Sequence, residues 1–395
     1  MKILYVTTIS NTVNAFLVPH IKFLVEQGHE VGVAFNIVKE IDRELIKYGC
    51  KIHHVEFQRN PLKKENLTEY KKIKAIVTDE GYELVHVHTP VASFLTRLAC
   101  RNMDKVKVVY TAHGFHFFKG APKKNWAVYH PLEKVAARWT DVIITMNEED
   151  YYAARKFKLR KNGAVFKVNG VGLDLNKFVP QTAERKKQLR KEYGYHDDDL
   201  LLIYVGELSY RKHQDQLIEA VSKLKEGIKK VKLLLVGDGE LLDQYTDMVQ
   251  RLGLEEQVEL LGYRKDVHNL MAISDIAVST SRQEGLPVNV MEAMATGLPL
   301  VVTDCRGNRD LVNDGVNGFV VGVDHSEATA NAILKLYHSE ELRKQFSVKN
   351  KELIQNYSLN HVIDQMKGIY DFQTSKNDNQ LNMLVNTNVE TMNSN

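Results

Sequence analysis

The sequence predicts an α/β protein of two domains, each an open, doubly wound parallel sheet. Three observations carry that prediction. Short apolar runs alternate with stretches of helical periodicity, the signature of βα units. The runs are nearly continuous in apolar residues rather than alternating, as expected of strands covered on both faces. The pattern breaks in a polar stretch around Pro180–Asp199 and then restarts. A chain of 395 residues has room for two such domains.

Taken in order, Lys2–Thr7 reads as the first strand. Asn14–Gln27 follows as a helix, with Phe16, Leu17, Ile21, Leu24 and Val25 on one face and Gly28 as the stop. Val31–Phe35, Leu84–His88, Val106–Thr111 and Val142–Thr145 are further strands. Residues 1–180 thus form the first domain. Residues 181–199 carry a charge run, Glu184–Lys191, and end in Asp197-Asp198-Asp199. This segment is expected to be an exposed linker with a helix, its acidic triplet a solvated loop rather than a metal site.

In the second domain, 200–356, strands are expected at Leu200–Val205, Val231–Val236, Val258–Leu261, Ile276–Ser279 and Leu300–Thr303. Helices are expected at Gln214–Leu224, Glu240–Leu252, Ala328–Leu336 and Glu341–Gln355. A last helix, within 357–373, is expected to pack back on the first domain, and the Asn-rich segment 374–395 to be disordered. In open parallel sheets ligands bind beyond the carboxyl ends of the strands. Two such domains facing each other would place the chemistry in a cleft.

Composition narrows the function. With 44% hydrophobic and 26% charged residues, the chain is not disordered, collagenous or a coiled coil. Three cysteines and no CxxC pair argue against a disulfide framework or a structural zinc site, which fits a cytoplasmic protein. The first apolar run is too short for a signal peptide, and nothing approaches the ~18 apolar residues of a membrane span. The net charge of +3 hides an asymmetry. Residues 1–180 hold 28 Lys and Arg against 18 Asp and Glu, and residues 181–395 hold 25 against 32. The basic half suits an anionic substrate, an anionic membrane surface or a nucleic acid.

The stretch richest in chemical information is Glu284-Gly285-Leu286-Pro287-Val288, continuing through Glu292 to Gly297. Pro287 suits the first position of a helix and Gly297 the residue past its end. Glu284 then lies in the loop before the helix and Glu292 within it. The unpaired N–H groups of the helix start could serve a carboxylate, a sugar hydroxyl or a phosphate. Two solvated acids on a well-capped helix would be the plain alternative.

With this motif the chain resembles the retaining glycosyltransferases of family 4, whose hallmark is a pair of glutamates separated by seven residues, as Glu284 and Glu292 are. The resemblance spans roughly Met1 to Phe372. It includes Val236-Gly237-Asp238-Gly239, Leu261-Gly262-Tyr263 and His113-Gly114-Phe115. The runs Leu84–Pro90 and Tyr110–Gly120 are most similar to bacterial exopolysaccharide and capsule assembly enzymes.

The resemblance implies the GT-B fold, two Rossmann-like domains facing across a cleft, with a nucleotide-sugar, a UDP-sugar by preference, bound by the second. Glu292 would take the ribose diol, whose paired hydroxyls match a carboxylate's two oxygens. Glu284 would contact the donor sugar, and the backbone of Gly285, Leu286, Pro287 and Val288 the sugar and phosphate. Tyr263 would meet the base, largely through its backbone. Gly206 would open the phosphate segment, and Gly237 and Gly239 would let the chain pass close to the nucleotide. Lys212 matches the phosphate-binding lysine of the family. Where the family has Arg directly after the glycine this chain has Glu207, so Arg211 or Arg264 would supply the second cation. His113 would lie near the donor sugar and the reaction centre. No Asp-x-Asp motif sits at a strand end, so neither metal nor cofactor is implied.

His86 and His88 share one face of a strand and read as packing residues rather than metal ligands. The expected reaction is a same-face substitution in which the acceptor hydroxyl attacks as the diphosphate leaves. The acceptor side is assigned to the first domain. Phe115, His116, Phe118, Lys119, Lys123, Lys124 and Trp126 mix rings and lysines as a membrane interface does, as does Gln58–Lys64 in part. The expected acceptor is a polyprenyl-diphosphate-linked saccharide at the inner face of the plasma membrane, with peripheral membrane contact and no nucleic acid. Two other readings are a UDP-sugar 2-epimerase of the same fold and a non-catalytic nucleotide-sugar-binding partner.

Overall fold

The structure is a computed structural model that describes residues 1–374 other than Arg59, Pro61, Leu62 and Glu226. The chain forms two compact units, 1–171 with the segment from Val362 onward, and 172–361. The expected tail and part of Gln58–Lys64 lie outside the described residues.

The first unit is built on a seven-stranded sheet, β1 (Lys2–Ile9), β2 (Glu30–Asn36), β3 (Lys51–His54), β4 (Leu84–His88), β5 (Lys107–Ala112), β6 (Val142–Thr145) and β7 (Ala164–Lys167), in the order β3-β2-β1-β4-β5-β6-β7. Every pairing is parallel. The strand order reverses between β1 and β4, and their carboxyl ends form the natural ligand position of such a sheet.

The first helical segment departs from the expected continuous helix. Ser10–Thr12 is α-helical, Val13–Leu17 is a π turn, and Val18–Glu26 resumes the α-helix with Pro19 in its first turn. Proline has no N–H to donate, so the ladder is displaced just ahead of it.

The second unit holds β8 (Leu200–Val205), β9 (Val231–Val236), β10 (Val258–Leu260), β11 (Ile276–Ser279), β12 (Leu300–Thr303) and β13 (Gly318–Val321), again all parallel, in the order β10-β9-β8-β11-β12-β13. Both faces of this sheet are core. Leu200, Leu202 and Tyr204 of β8 pack with Leu217 and Val221 on one side. Leu201 and Ile203 pack with Met291 and Met294 on the other.

The expected linker 181–199 is corrected here. Ala183–Tyr193 is a helix capped by Thr182 and ended by Gly194 in the left-handed conformation, and it is part of the second unit. Leu189 joins that unit's core. Arg190 is buried, donates to the Ile273 carbonyl and pairs with Asp275 at 2.7 Å, while Lys186 takes the other Asp275 oxygen at 2.8 Å. The charge run contains the groups that fasten it. The last helix, Leu359–Thr374, carries Met366, Tyr370 and Phe372 into the first unit, where Phe372 meets Phe166 edge-on.

Candidate functional site

In the second unit the loops after β8 and β11, the strands flanking its switch point, bring the expected charged residues together. Gly206–His213 leaves β8, and Thr280–Pro287 leaves β11. Glu284 is buried and accepts from Lys212 Nζ at 2.6 Å, Arg211 Nη1 at 3.2 Å and Ser281 Oγ at 2.6 Å. Burial pushes its carboxyl up, but Lys212 and Arg211 outweigh burial, and the net shift is downward. Glu284 is therefore an ionised carboxylate held between two cations. The Lys212 ammonium has three N–H donors, and the bond to Glu284 uses one.

The support of this pair was not visible in the sequence. Tyr204 Oη bonds the Lys212 carbonyl at 2.7 Å and Ser281 Oγ at 2.8 Å. Thr280 Oγ1 donates to the His213 carbonyl, and buried Arg306 donates to the Glu284 carbonyl at 2.9 Å. His213 stands in the left-handed region at φ 55°, with its ring against Asp215 at 2.7 Å and Asp324 at 3.1 Å. Side-chain bonds thus hold a backbone geometry that costs a non-glycine residue energy.

Pro287 is the residue just before the helix Val288–Thr296 rather than its first residue, and Gly297 ends that helix in the left-handed conformation. Glu292, on the second turn, is in a different electrostatic state from Glu284. Burial pushes its carboxyl up to about 7, with Lys177 opposing weakly. Asn289 anchors the helix start to β8 through the Val205 carbonyl at 2.8 Å.

The glycines of Gly237-Asp238-Gly239 have a reason other than the expected one. A Cβ on Gly237 would lie 2.1 Å from the Gly206 carbonyl oxygen, and one on Gly239 would lie 2.2 Å from that of Leu208. The protein's own backbone fills the space, so these positions require glycine before any nucleotide is considered. Asp238 accepts from the Tyr263 amide at 3.1 Å, and the Tyr263 ring is 71% exposed, open to a ligand. Of the two alternative cations, Arg211 lies beside Lys212 on Glu284. Arg264 is held bidentate by Asp266 at 2.8 and 2.6 Å. Glu207 is exposed.

In the first unit His113 directly follows β5 and lies 3.0 Å from His88 at the end of β4, Nε2 to Nδ1. His86, two residues earlier, bonds Tyr370 Oη and Thr111 Oγ1, each at 2.7 Å, and Tyr370 continues to Tyr5 at 2.5 Å. His20 donates from Nε2 to the Val171 carbonyl at 2.8 Å. Burial, with nearby His20, pushes His113 down to about 4, and burial holds His20, His86 and His88 below the ordinary imidazole range as well. Among the described residues no group of three or more His, Cys, Asp or Glu is placed to hold a metal ion.

The expected membrane segment divides in two. Phe115 and Phe118 are buried, and Phe115 stacks on Phe117 at 4.8 Å, so these rings belong to the core rather than to a lipid-facing loop. His116 stacks on Tyr129. Lys119, Lys123, Lys124 and Trp126 are exposed. Sequence reading missed that the helix Lys123–Ala137 also exposes Val128, Leu132 and Val135, spaced to share one face. No described helix is long and apolar enough to cross a membrane.

Comparison with known proteins identifies the family and the fold. Residues 2–147 match the glycosyl transferase 4-like family, and residues 185–353 match the glycosyl transferases group 1 family. The glycosyltransferase EpsD of Bacillus subtilis is 37% identical over 371 residues, covering 93% of this chain and 96% of that protein. An Escherichia coli protein, the UDP-Gal:alpha-D-GlcNAc-diphosphoundecaprenol alpha-1,3-galactosyltransferase, is 29% identical over 77% of this chain and 81% of its own length. Among solved structures, Anabaena HepE in complex with UDP and glucose superposes with a TM-score of 0.78 at 21% identity, covering 94% of this chain and 99% of that one. The fold is GT-B, and the chain belongs to the group 1, family 4-like glycosyltransferases.

Proposed function

We propose that this glycosyltransferase moves a sugar, with retention of configuration, from a UDP-sugar to a polyprenyl-diphosphate-linked saccharide. The observation that carries the reading is the Glu284–Lys212–Arg211 cluster beyond β8 and β11, with Glu292 one helix turn further on. A departing nucleoside diphosphate gains negative charge, and preorganised cations stabilise it where it develops. Lys212 and Arg211 provide two, with the N-terminus of Val288–Thr296 as a third donor group. Glu284 would exchange part of its hold on Lys212 for the donor's sugar hydroxyls. Ionised Glu292 would accept from the ribose diol, and His113 would contact a sugar. The acceptor hydroxyl would attack from the face that the diphosphate leaves, handing its proton to a phosphate oxygen, with no metal and no cofactor.

The names of two similar proteins support the substrate classes. The E. coli relative is named for UDP-Gal and an undecaprenol diphosphate-linked acceptor, and HepE was solved with UDP-glucose. For the acceptor we look to the exposed face of Lys123–Ala137, with Trp126, Val128, Leu132 and Val135 beside Lys119, Lys123 and Lys124. Apolar side chains set among lysines suit the anionic inner surface of a plasma membrane, each lysine contributing about 1 kcal/mol.

Thermal unfolding with a panel of UDP- and GDP-sugars tests the donor, since a ligand of the folded state raises the midpoint. One UDP-sugar should stand out. A response to GDP-sugars alone would overturn the UDP assignment, and conversion of a UDP-sugar into its epimer without any acceptor would favour an isomerase. Sedimentation with anionic liposomes tests the membrane face. Replacing Lys119, Lys123 and Lys124 with Glu should release the protein, and unchanged sedimentation would remove that face from the account.

A further inference from the structure

We propose that His88 is a positioning residue that fixes the tautomer of His113, so that His113 meets its ligand with an Nδ1–H donor. The inference rests on the reading that His113 contacts a sugar, but its geometric basis is separate. His88 Nδ1 and His113 Nε2 lie 3.0 Å apart, so one carries the shared proton and the other is bare. The decision falls on the other side of the His88 ring. His88 is buried, and its Nε2 has no hydrogen-bond partner among the described residues.

That nitrogen belongs to a residue lining a cavity of about 20 Å³, whose wall includes Leu17, Met146, Val168 and Met366 along with His20, Thr111 and His113. A buried N–H without an acceptor is rarer in proteins than an acceptor left short of a donor. His88 Nε2 is therefore the bare nitrogen, and its proton sits on Nδ1, donating to His113. His113 Nε2 becomes the acceptor, and the remaining proton of a neutral His113 must be on Nδ1.

Neighbouring rings hold His88 in place. Tyr5 stacks on it at 5.5 Å and 24°, and His86 lies 4.3 Å away on the same strand face. His86 is fixed in turn by Tyr370 and Thr111. The buried stack thus does for His113 what a carboxylate or carbonyl behind a catalytic histidine does elsewhere, choosing which nitrogen carries the proton. It does so with a neutral partner, in reverse polarity: His113 is offered a donor, and so presents a donor. An N–H at His113 Nδ1 matches the lone pair of a sugar hydroxyl or ring oxygen.

Long-range proton–nitrogen NMR of histidine-labelled protein at pH 7 reads the tautomers directly, without donor, acceptor or turnover. Wild-type His113 should show a protonated Nδ1 and a bare Nε2. A protonated Nε2 on His113 would overturn the proposal, whatever the variants do. His88→Leu should reduce the preference about fivefold, the worth of one net hydrogen bond. His88→Asn, whose amide nitrogen can stand near the position of Nδ1, should restore it. An unchanged His113 tautomer in folded His88→Leu would also count against the proposal. Initial rates of UDP release, with the UDP-sugar that stabilises the chain most, then give a mutant cycle. His88→Leu should lower kcat/KM, and combining it with His113→Ala should do no further harm. If His113→Ala alone leaves turnover intact, the sugar-contact reading falls while the NMR result still decides the role of His88.

Discussion

The two units repeat one topology but treat charge at their functional loops in opposite ways. In the first unit, imidazoles of β4, of the loop after β5 and of the helix Val18–Glu26 are kept neutral by burial, each bonded to a neutral partner: His88 to His113, His86 to Tyr370 and Thr111, His20 to a carbonyl. In the second, the loops after β8 and β11 hold full charges, and a buried carboxylate stays ionised because two cations face it. One strand order therefore supports either a neutral hydrogen-bonding wall or a charged one, and the loop residues decide which. A hydroxyl can bond to either kind of surface, whereas a diphosphate needs the second.

Breaking the charged wall should have the largest effect. Lys212→Ala leaves the buried Glu284 with Arg211 and Ser281, and losing one partner of a buried pair costs about 3–5 kcal/mol. Turnover at saturating donor should fall about 10²-fold or more, as when an electrostatic donor is removed from a transition state. Lys212→Met with Glu284→Gln sharpens the point. Denaturant unfolding should show most of the stability restored, since no buried charge is left unpaired, while turnover stays lost.

The neutral wall should fail in acid. His113 titrates at about 4 when folded, below its value in an unfolded chain. Below the unfolded value near 6.5 the unfolded chain binds the extra proton, so stability is lost as pH falls from about 6.5 toward 4 and is unaffected above that range. His113 alone amounts to about 2–3 kcal/mol by pH 4. His20, His86 and His88 shift in the same direction. Hydrogen exchange at pH 5 against pH 7 should show β4 and β5 losing protection before β8 and β9. Equal loss in both sheets would contradict the contrast.

The smallest expected effect lies at Glu292, which belongs to the charged unit but titrates at about 7. Its folded value is raised, so the carboxylate that a ribose diol requires is depleted as pH falls below 7. UDP-sugar affinity should rise about tenfold between pH 6 and 8 and then level off. Glu292→Gln should flatten that profile in calorimetric titrations, and an unchanged profile would remove Glu292 from the ribose.

The sequence announced the central strands and concealed three of the four edges. Leu84–His88, Val142–Thr145, Leu200–Val205, Val231–Val236, Ile276–Ser279 and Leu300–Thr303 stand where their apolar runs predicted. The three unpredicted strands, β3, β7 and β13, are all sheet edges. With one flank unpaired they tolerate polar residues, as in Lys51–His54, and the continuous apolar signal is lost. The site divides similarly. Glu284 stood out by its place in a loop before a well-capped helix, whereas Lys212 and His113 were named only through the family resemblance. Ser281, Arg306, Tyr204 and His88 were not legible, because their roles are contacts made across the fold, which no local spacing records. The membrane set failed in half for a related reason: aromatic residues in a loop look alike in sequence whether they face solvent or, like Phe115 and Phe118, the core.

The central claim is that the Lys212–Glu284 cluster receives the donor's diphosphate. Calorimetric titration of UDP into wild type, Lys212→Met, and the Lys212→Met, Glu284→Gln pair, each at low and high salt, tests it most directly. Wild type should bind UDP with micromolar-class affinity that weakens with salt, and both variants should show about tenfold or greater loss and a shallower salt dependence. Wild-type affinity and salt dependence in folded Lys212→Met would contradict it, and would place the diphosphate elsewhere on the second unit.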